Sequence, residues 1–350
     1  MSFLESIKDY LRPFTESVLA ILIGAFIGAL IMHLSGYSAT NAYVSLIKGA
    51  FFGLSNFAET LSKSTPLMLT ALTFAVGART GLFNIGAEGT VYFGAIAAVA
   101  LTQFLPNPLV GILAAMTLGA AWALPAALLK VYRGVHEVIS TIMLNWIAFW
   151  IVNWLSLSIL YNPKDPNSTL PVPPSARLPL IVPNTSLSLG FVLAVLTSVA
   201  IFILMWYTRT GFELRASGYN SLAAKYGGIN PKRSAIWSFV LGGITAGLAG
   251  AVLVMGRPPG YAITQGMANI YGYGFDGIGV ALVGRNHPLG IIFAAILFGA
   301  LNAGTTAMQQ TGVPLEMVKI VEGIIIVAVA VPGLLNLVEK PFRALGGEQK

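Results

Sequence analysis

The chain has 350 residues and a formal net charge of +7, yet only 9% are charged and 56% are hydrophobic. Soluble domains carry about 25% charged residues, so the polar surface here is too small to cover a water-soluble body of this size. The absence of cysteine excludes disulfides and thiolate sites. His33, His136 and His287 form no ligand spacing, and no phosphate-binding loop, zinc motif, serine-nucleophile motif or basic stripe suited to nucleic acid is present.

Lys8 and Arg12 precede an apolar run from Val18 to Leu34. The run is too long for a signal core and lacks a small-residue cleavage site, so it reads as a retained spanning helix. Segments long and apolar enough to cross a bilayer of about 30 Å follow. With the first, the predicted spans are 16–34, 66–79, 86–105, 109–129, 138–160, 187–207, 233–255, 268–284, 288–308 and 317–337. Alternate crossings put Arg79, then Lys130 and Arg133, then the stretch 208–232, then Arg285, and finally Lys340 and Arg343 on one side. That side is the cytoplasm by the positive-inside rule, with both termini there. Residues 40–63 are amphipathic and are expected at the outer interface or as a re-entrant segment. Residues 161–186 form a proline-rich external loop. The expected fold is therefore all-α: one polytopic membrane domain of about ten helices, dividing five plus five into an inverted repeat.

Three stretches carry chemistry. In RTGLFNIGAEG, residues 79–89, Asn84 suits a helix N-cap. Glu88 lies near the start of the next helix, where the dipole favours a carboxylate. Its functional reading is gating or a pathway role, against simple helix packing. The cytoplasmic stretch 208–231 contains Asn220 to Tyr226, a short predicted helix stopped by Gly227–Gly228 and followed by the N-cap pair Asn230–Pro231. Arg215, Tyr219, Leu222 and Tyr226 fall near one face, and Ala223 and Ala224 leave part of the surface smooth. So short a helix is marginal alone and must dock, either on the protein itself or in the groove of a soluble partner. In residues 268–290, Gly272, Gly274, Gly277 and Gly279 are expected to weaken any helix. Irregular backbone in a membrane lies against protein or a water-filled cavity. Asn269, Tyr271, Tyr273, Phe275 and Asp276 are thus candidates to face a solute, with aromatic rings to stack on a sugar or base and polar groups for its hydroxyls.

TGLFNIGAEG at 80–89, GYNSLAAKYGGINPKR at 218–233 and GFDGIGVALVGRNHPLGI at 274–291 together resemble the permease subunits of bacterial ATP-binding-cassette importers for simple sugars and nucleosides. This group includes the ribose and branched-chain amino acid permeases, and the NIGAEG form looks most like its nucleoside branch. The resemblance covers roughly residues 60–335 and departs from the pattern at Thr90, where relatives commonly carry Gln. It implies a plasma-membrane permease that is not an enzyme and holds no cofactor. Its ATP would be hydrolysed by a cytoplasmic ATPase docked on the 218–227 helix. A second, related permease subunit would complete the assembly, and an external binding protein would deliver the solute. The alternative function is an ion-gradient transporter using Glu88, Asp276 and Glu322; Glu316 and Lys319 would join Glu322 in a proton relay or in a merely structural cluster.

Overall fold

The computed structural model describes Leu19 and residues 21–330. The tail charges Lys8, Arg12, Lys340, Arg343 and Lys350 and the end of the last predicted span lie outside the described residues. In chain order the helices are α1 (Ile21–Leu34), α2 (Ala39–Phe51), α3 (Leu54–Arg79), α4 (Ala87–Phe104), α5 (Pro108–Arg133), α6 (Glu137–Ser158) and α7 (Gly190–Tyr207). Then come α8 (Arg209–Tyr219), α9 (Ser221–Tyr226), α10 (Pro231–Met255), α11 (Tyr273–Val283), α12 (Pro288–Gln309) and α13 (Leu315–Ala330). Among the described residues there are isolated β-bridges but no strand. The fold is an all-α polytopic membrane protein. Five helices, α5, α6, α7, α10 and α12, are individually long and apolar enough to cross.

Two compact units are present, Phe51–Ala300 and the pair Met1–Ala50 with Leu301–Lys350. In the second, the Tyr43 hydroxyl donates to the Ala25 carbonyl at 2.7 Å. Glu322 is buried there, bonded to Lys319 at 2.9 Å and to Asn302 at 3.1 Å.

In the larger unit, α5 and α6 are built inside out relative to the helices of a soluble bundle. Along α6 the buried stripe is Ser140, Thr141, Asn145, Ala148, Val152 and Ser156, while Trp146, Trp150 and Trp154 are exposed. Large apolar side chains cost nothing against lipid tails, so the helices associate instead through small and polar residues. On α5 the buried face repeats every four residues: Gly111, Ala115, Gly119, Ala123 and Ala127. It packs on α10, which is buried nearly all round and also meets α3 and α4. At Gly247 the helices approach to backbone contact. A methyl group there would collide with the Ala115 carbonyl of α5, and one on Gly94 of α4 would collide with the Gly247 carbonyl. Three backbones meet where no side chain fits.

Four sequence expectations shift. Helix α3 begins at Leu54, not at 66, and runs through Pro66. The hydroxyls of Ser64 and Thr65, both donating to the Leu61 carbonyl at 2.8 Å, supply polar partners beside the proline. The segment 40–63 is consequently two helices, broken at Gly53 with φ 96°, and its last ten residues belong to α3. Its continuous amphipathic pattern hid that break. The polar stretch 208–232 holds two helices instead of one, because Thr208 caps α8 by accepting from the Gly211 amide at 3.2 Å. Finally, the glycines after 272 sit inside α11 without preventing it. Gly274 and Gly277 let its backbone touch Glu88 and Thr70, so packing outweighs their low helix propensity.

Gly247→Val should lower the stability of the purified protein by at least about 1–3 kcal/mol through overpacking, read as thermal unfolding in detergent. Ile139→Val on the exposed face of α6 should change it by less than about 0.5 kcal/mol.

Candidate functional site

Between α3 and α4 the chain runs without helical hydrogen bonding from Gly81 to Gly86. Each polar group of such a segment needs a partner inside a membrane protein. Helix α6 supplies two of them, for the Phe83 amide and the Ile85 carbonyl. Asn145 donates from Nδ2 to the Ile85 carbonyl at 2.9 Å and accepts the Gly89 amide at Oδ1, also at 2.9 Å. Glu137 accepts the Phe83 amide at 3.4 Å and pairs with Lys130 at 2.6 Å. The Asn84 side chain accepts from the Gly86 amide at 2.9 Å. Helix α4 starts only at Ala87, with Gly86 at the cap, so Asn84 forms a local turn and is not the N-cap itself.

Glu88, the second residue of α4, is buried. Its Oε1 accepts from the Tyr92 hydroxyl and from the Gly272 amide, each at 2.6 Å; its Oε2 accepts from the Gly274 amide at 2.6 Å. Gly272, in a left-handed conformation with φ 93°, is the N-cap of α11 and offers no side chain of its own. One carboxylate therefore sits at the N-termini of α4 and α11 together, where both helix dipoles favour negative charge. The TGLFNIGAEG and GFDGIG stretches meet at this point.

The other end of α11 is held by Arg79, the last residue of α3. Its Nε donates to the Asn286 carbonyl at 2.9 Å and its Nη2 to the Arg285 carbonyl at 3.0 Å. Arg285 and Asn286 are both left-handed, with φ 55° and 50°, a conformation disfavoured for residues with a Cβ. The Arg79 fork holds that turn closed. The same guanidinium lies 5.6 Å from the Trp206 ring, and Arg215 lies 5.5 Å from that ring. His287 packs on the indole at 4.7 Å; burial, and then the charge of Arg79, hold its imidazole below the usual value and so neutral at pH 7. Arg215 also donates to the Met205 carbonyl at 3.0 Å. Trp206 thus sits between two cations, one from the α3 end and one from α8. Gly218 completes the seam: a methyl group on it would collide with the Arg79 carbonyl.

Beyond that seam α9 projects. Asn220 caps it by accepting from the Leu222 and Ala223 amides, both at 3.0 Å, and Gly228, with φ 82°, ends it. Tyr219, Leu222 and Tyr226 are 85%, 70% and 95% exposed, respectively.

Near the start of α3, Glu59 accepts from Arg257 at 2.9 Å and from Ser186, and Arg257 donates to the Tyr273 hydroxyl at 2.8 Å. The loops on this side are laced together. Thr169 donates to Ile263, Val172 to Tyr261 and Leu178 to Met255, while Arg177 covers the Tyr261 ring at 4.1 Å.

Interrupted helices capped by buried polar groups, with a bare helix projecting from a cationic seam, suit a machine that moves solute past protein. Residues 56–330 match the family described as the permease component of branched-chain amino acid transport systems. The chain belongs to this family. It is 38% identical over 322 residues to a guanosine ABC transporter permease of Bacillus subtilis, covering 89% of this chain and 92% of that one. It is 35% identical over 350 residues to a nucleoside ABC transporter permease of Lactococcus lactis, covering 95% of each. A second guanosine permease of Bacillus subtilis is 26% identical over 258 residues, covering 69% of this chain and 78% of that one. The protein is the multi-pass permease component of an ABC transport system.

The permease separates the residues singled out in its sequence into groups. Glu88, Asn84 and Asn269 are engaged in internal hydrogen bonds; Asn269 accepts from the Thr264 amide and hydroxyl and donates to the Ala262 carbonyl. Tyr273 is held by Arg257. Tyr271 and Phe275 are 53% and 42% exposed, and Asp276 is half-buried. Thr90 is buried and donates to the Gly86 carbonyl at 2.8 Å, so its hydroxyl is directed into its own helix. In the 208–232 stretch, Arg215 and Tyr219 belong to α8, while Leu222 and Tyr226 belong to α9; the break at Asn220 replaces the single face expected of one helix. Ala223 is exposed but Ala224 is buried, so only the former offers a smooth surface. Sequence reasoning missed Asn145, Glu59, Arg257 and Trp206. Asn145 had a signal, as a lone amide flanked by apolar residues in a predicted span.

Glu88→Ala should leave the Tyr92 hydroxyl and two amides buried without a partner, at about 1–3 kcal/mol each. A large fall in the thermal unfolding temperature in detergent is expected, with a smaller fall for Glu88→Gln, which keeps one acceptor oxygen.

Proposed function

We propose that this permease forms part of the translocation pathway of an ATP-driven importer in a bacterial plasma membrane, with a nucleoside as its solute. The observation that carries the reading is α9: six residues, fixed at their base by Asn220 and the buried Ala224, with Leu222 and Tyr226 bare at the tip. Exposed apolar groups on a rigid, otherwise polar projection fit a groove on a soluble partner. A cytoplasmic ATPase is that partner, and it holds the nucleotide; this chain needs no cofactor. Its displacement of α9 would act on the seam of Arg215, Trp206 and Arg79, and so on the end of α11.

The solute side follows from which face of α11 is free. Gly274 and Gly277 set its back against α4 and α3. Tyr271, Phe275 and Asp276 remain on the accessible side and would meet the solute, with a second permease subunit closing the pathway opposite. The two guanosine permeases of Bacillus subtilis, both similar to this chain, favour a related and non-identical partner. The loops laced by Glu59, Arg257 and Ser186 present a firm external surface for a substrate-binding protein. The basic residues of 79, 130–133, 208–232 and 285 support a cytoplasmic position for α9. Glu88 and Glu322, carboxylates an ion-coupled carrier would use, are already bonded to protein groups, which disfavours the gradient-driven alternative.

Tyr226→Asp or Ala223→Asp should abolish substrate-stimulated ATP hydrolysis and uptake by the assembled transporter at unchanged membrane levels. Unchanged uptake in both would remove α9 from the docking site. In cells, labelled guanosine uptake should be competed by other nucleosides far better than by free ribose, and Tyr271→Ala should raise the half-saturating solute concentration with little effect on unfolding temperature. Competition by pentose alone would overturn the nucleoside assignment.

A further inference from the structure

Where α7 passes α10, beside the start of α8, lies a cavity of about 520 Å³, within the roughly 300–1,000 Å³ typical of small-molecule sites. Nothing in the transport mechanism uses it. Its α10 wall is a stripe at four-residue spacing: Arg233, Trp237, Leu241. Each step rises about 6 Å along the helix, on one face. The α7 wall runs the opposite way in sequence and matches it in character, from Thr208 through Leu204 to Ala200. Both walls therefore grade in the same direction, from charged or hydroxylic, through an indole on one side, to fully apolar. That order of chemistry is the order of a glycerophospholipid: headgroup, interface, acyl chain.

The rim is charged in a way that selects. The Arg233 side chain is exposed and makes no hydrogen bond or ion pair among the described residues. Glu213 also lines the cavity, but its carboxylate is taken up by Arg209 at 2.9 Å. It leaves Arg233 with an uncompensated positive charge, and Thr210 offers a hydroxyl on the same rim. The apolar part opens sideways: Ile203 is 50% exposed and Trp237 42%. Trp237 sits one turn below the cation, at the level where indoles favour the membrane interface.

We infer that this groove is a site for an anionic phospholipid, its phosphate on Arg233 and Thr210 and one acyl chain along Trp237, Leu204 and Leu241. Basic pockets between spanning helices on the cytoplasmic side hold anionic headgroups in this manner. The inference stands on the membrane fold and is independent of which solute is carried. A lipid bound here bridges α7, α8 and α10 at the root of the stretch that carries α9.

The test uses the assembled transporter in vesicles, with the fluorescence of Trp237 isolated as the difference between the unaltered protein and Trp237→Phe. Chain-brominated phosphatidylglycerol should quench that difference signal at about fivefold lower mole fraction than chain-brominated phosphatidylcholine, as expected for one added cation. Arg233→Gln should abolish the preference, whereas Lys232→Gln, off the stripe, should leave most of it. Equal quenching by the two lipids, or a preference that survives Arg233→Gln, overturns the site. Equal losses in the two variants would reduce it to general surface charge and overturn it too. Absence of quenching by either lipid would show that no lipid occupies the groove and would overturn the site as well.

Discussion

A helix that begins within a membrane protein leaves its first backbone amides without helical partners, and lipid offers none. Eleven residues of α11 span about 16 Å, roughly half of a hydrocarbon core. Its free N-terminus is therefore the most demanding point of the structure. Glu88 meets that demand with one carboxylate shared between the Gly272 and Gly274 amides. Its position at the start of α4 adds a second favourable dipole. The irregular segment before α4 exists to deliver Glu88 to that spot, and α6 contributes Asn145 and Glu137 to keep the segment itself satisfied.

This arrangement needs helices that approach closely. Gly247 brings α10 against α4 and α5 at backbone contact, and Gly274 brings α11 onto Glu88 itself. On α5 and α6 small and polar residues face inward and large apolar ones face out, because lipid does not reward burial of leucine and isoleucine as water does.

The seam at Trp206 joins the ends of several helices. Arg79 and Arg215 come from different helices and flank one indole, while the Arg79 fork closes the turn after α11. A load on α8 and α9 reaches α11 through few contacts. On the opposite side, Tyr273 in the first turn of α11 is tied through Arg257 to Glu59. Short as it is, α11 is thus anchored at both ends by side chains of other elements.

Composition and hydropathy alone determined that the chain is a multi-pass membrane protein, because transfer of so many apolar residues admits no soluble alternative. Local chemistry was legible as well: Asn230 is a cap, Gly227–Gly228 end α9, and most long helices lie within a few residues of their hydropathy runs. The start of α3 and the existence of α8 were not, since one continuous amphipathic pattern crosses Gly53 and a polar composition masked the Thr208 cap. The candidate site was legible as three stretches but not as one object. Glu88 and Gly272 are separated by 184 residues, and no local pattern states that the carboxylate of one helix will cap the other. Only the tertiary structure decided that Glu88, Asn84 and Asn269 are bonded within the protein while Tyr271, Phe275, Leu222 and Tyr226 stay exposed. The physical reason is that a buried polar group must find its partner wherever the fold brings one, whereas an exposed one is free for a ligand.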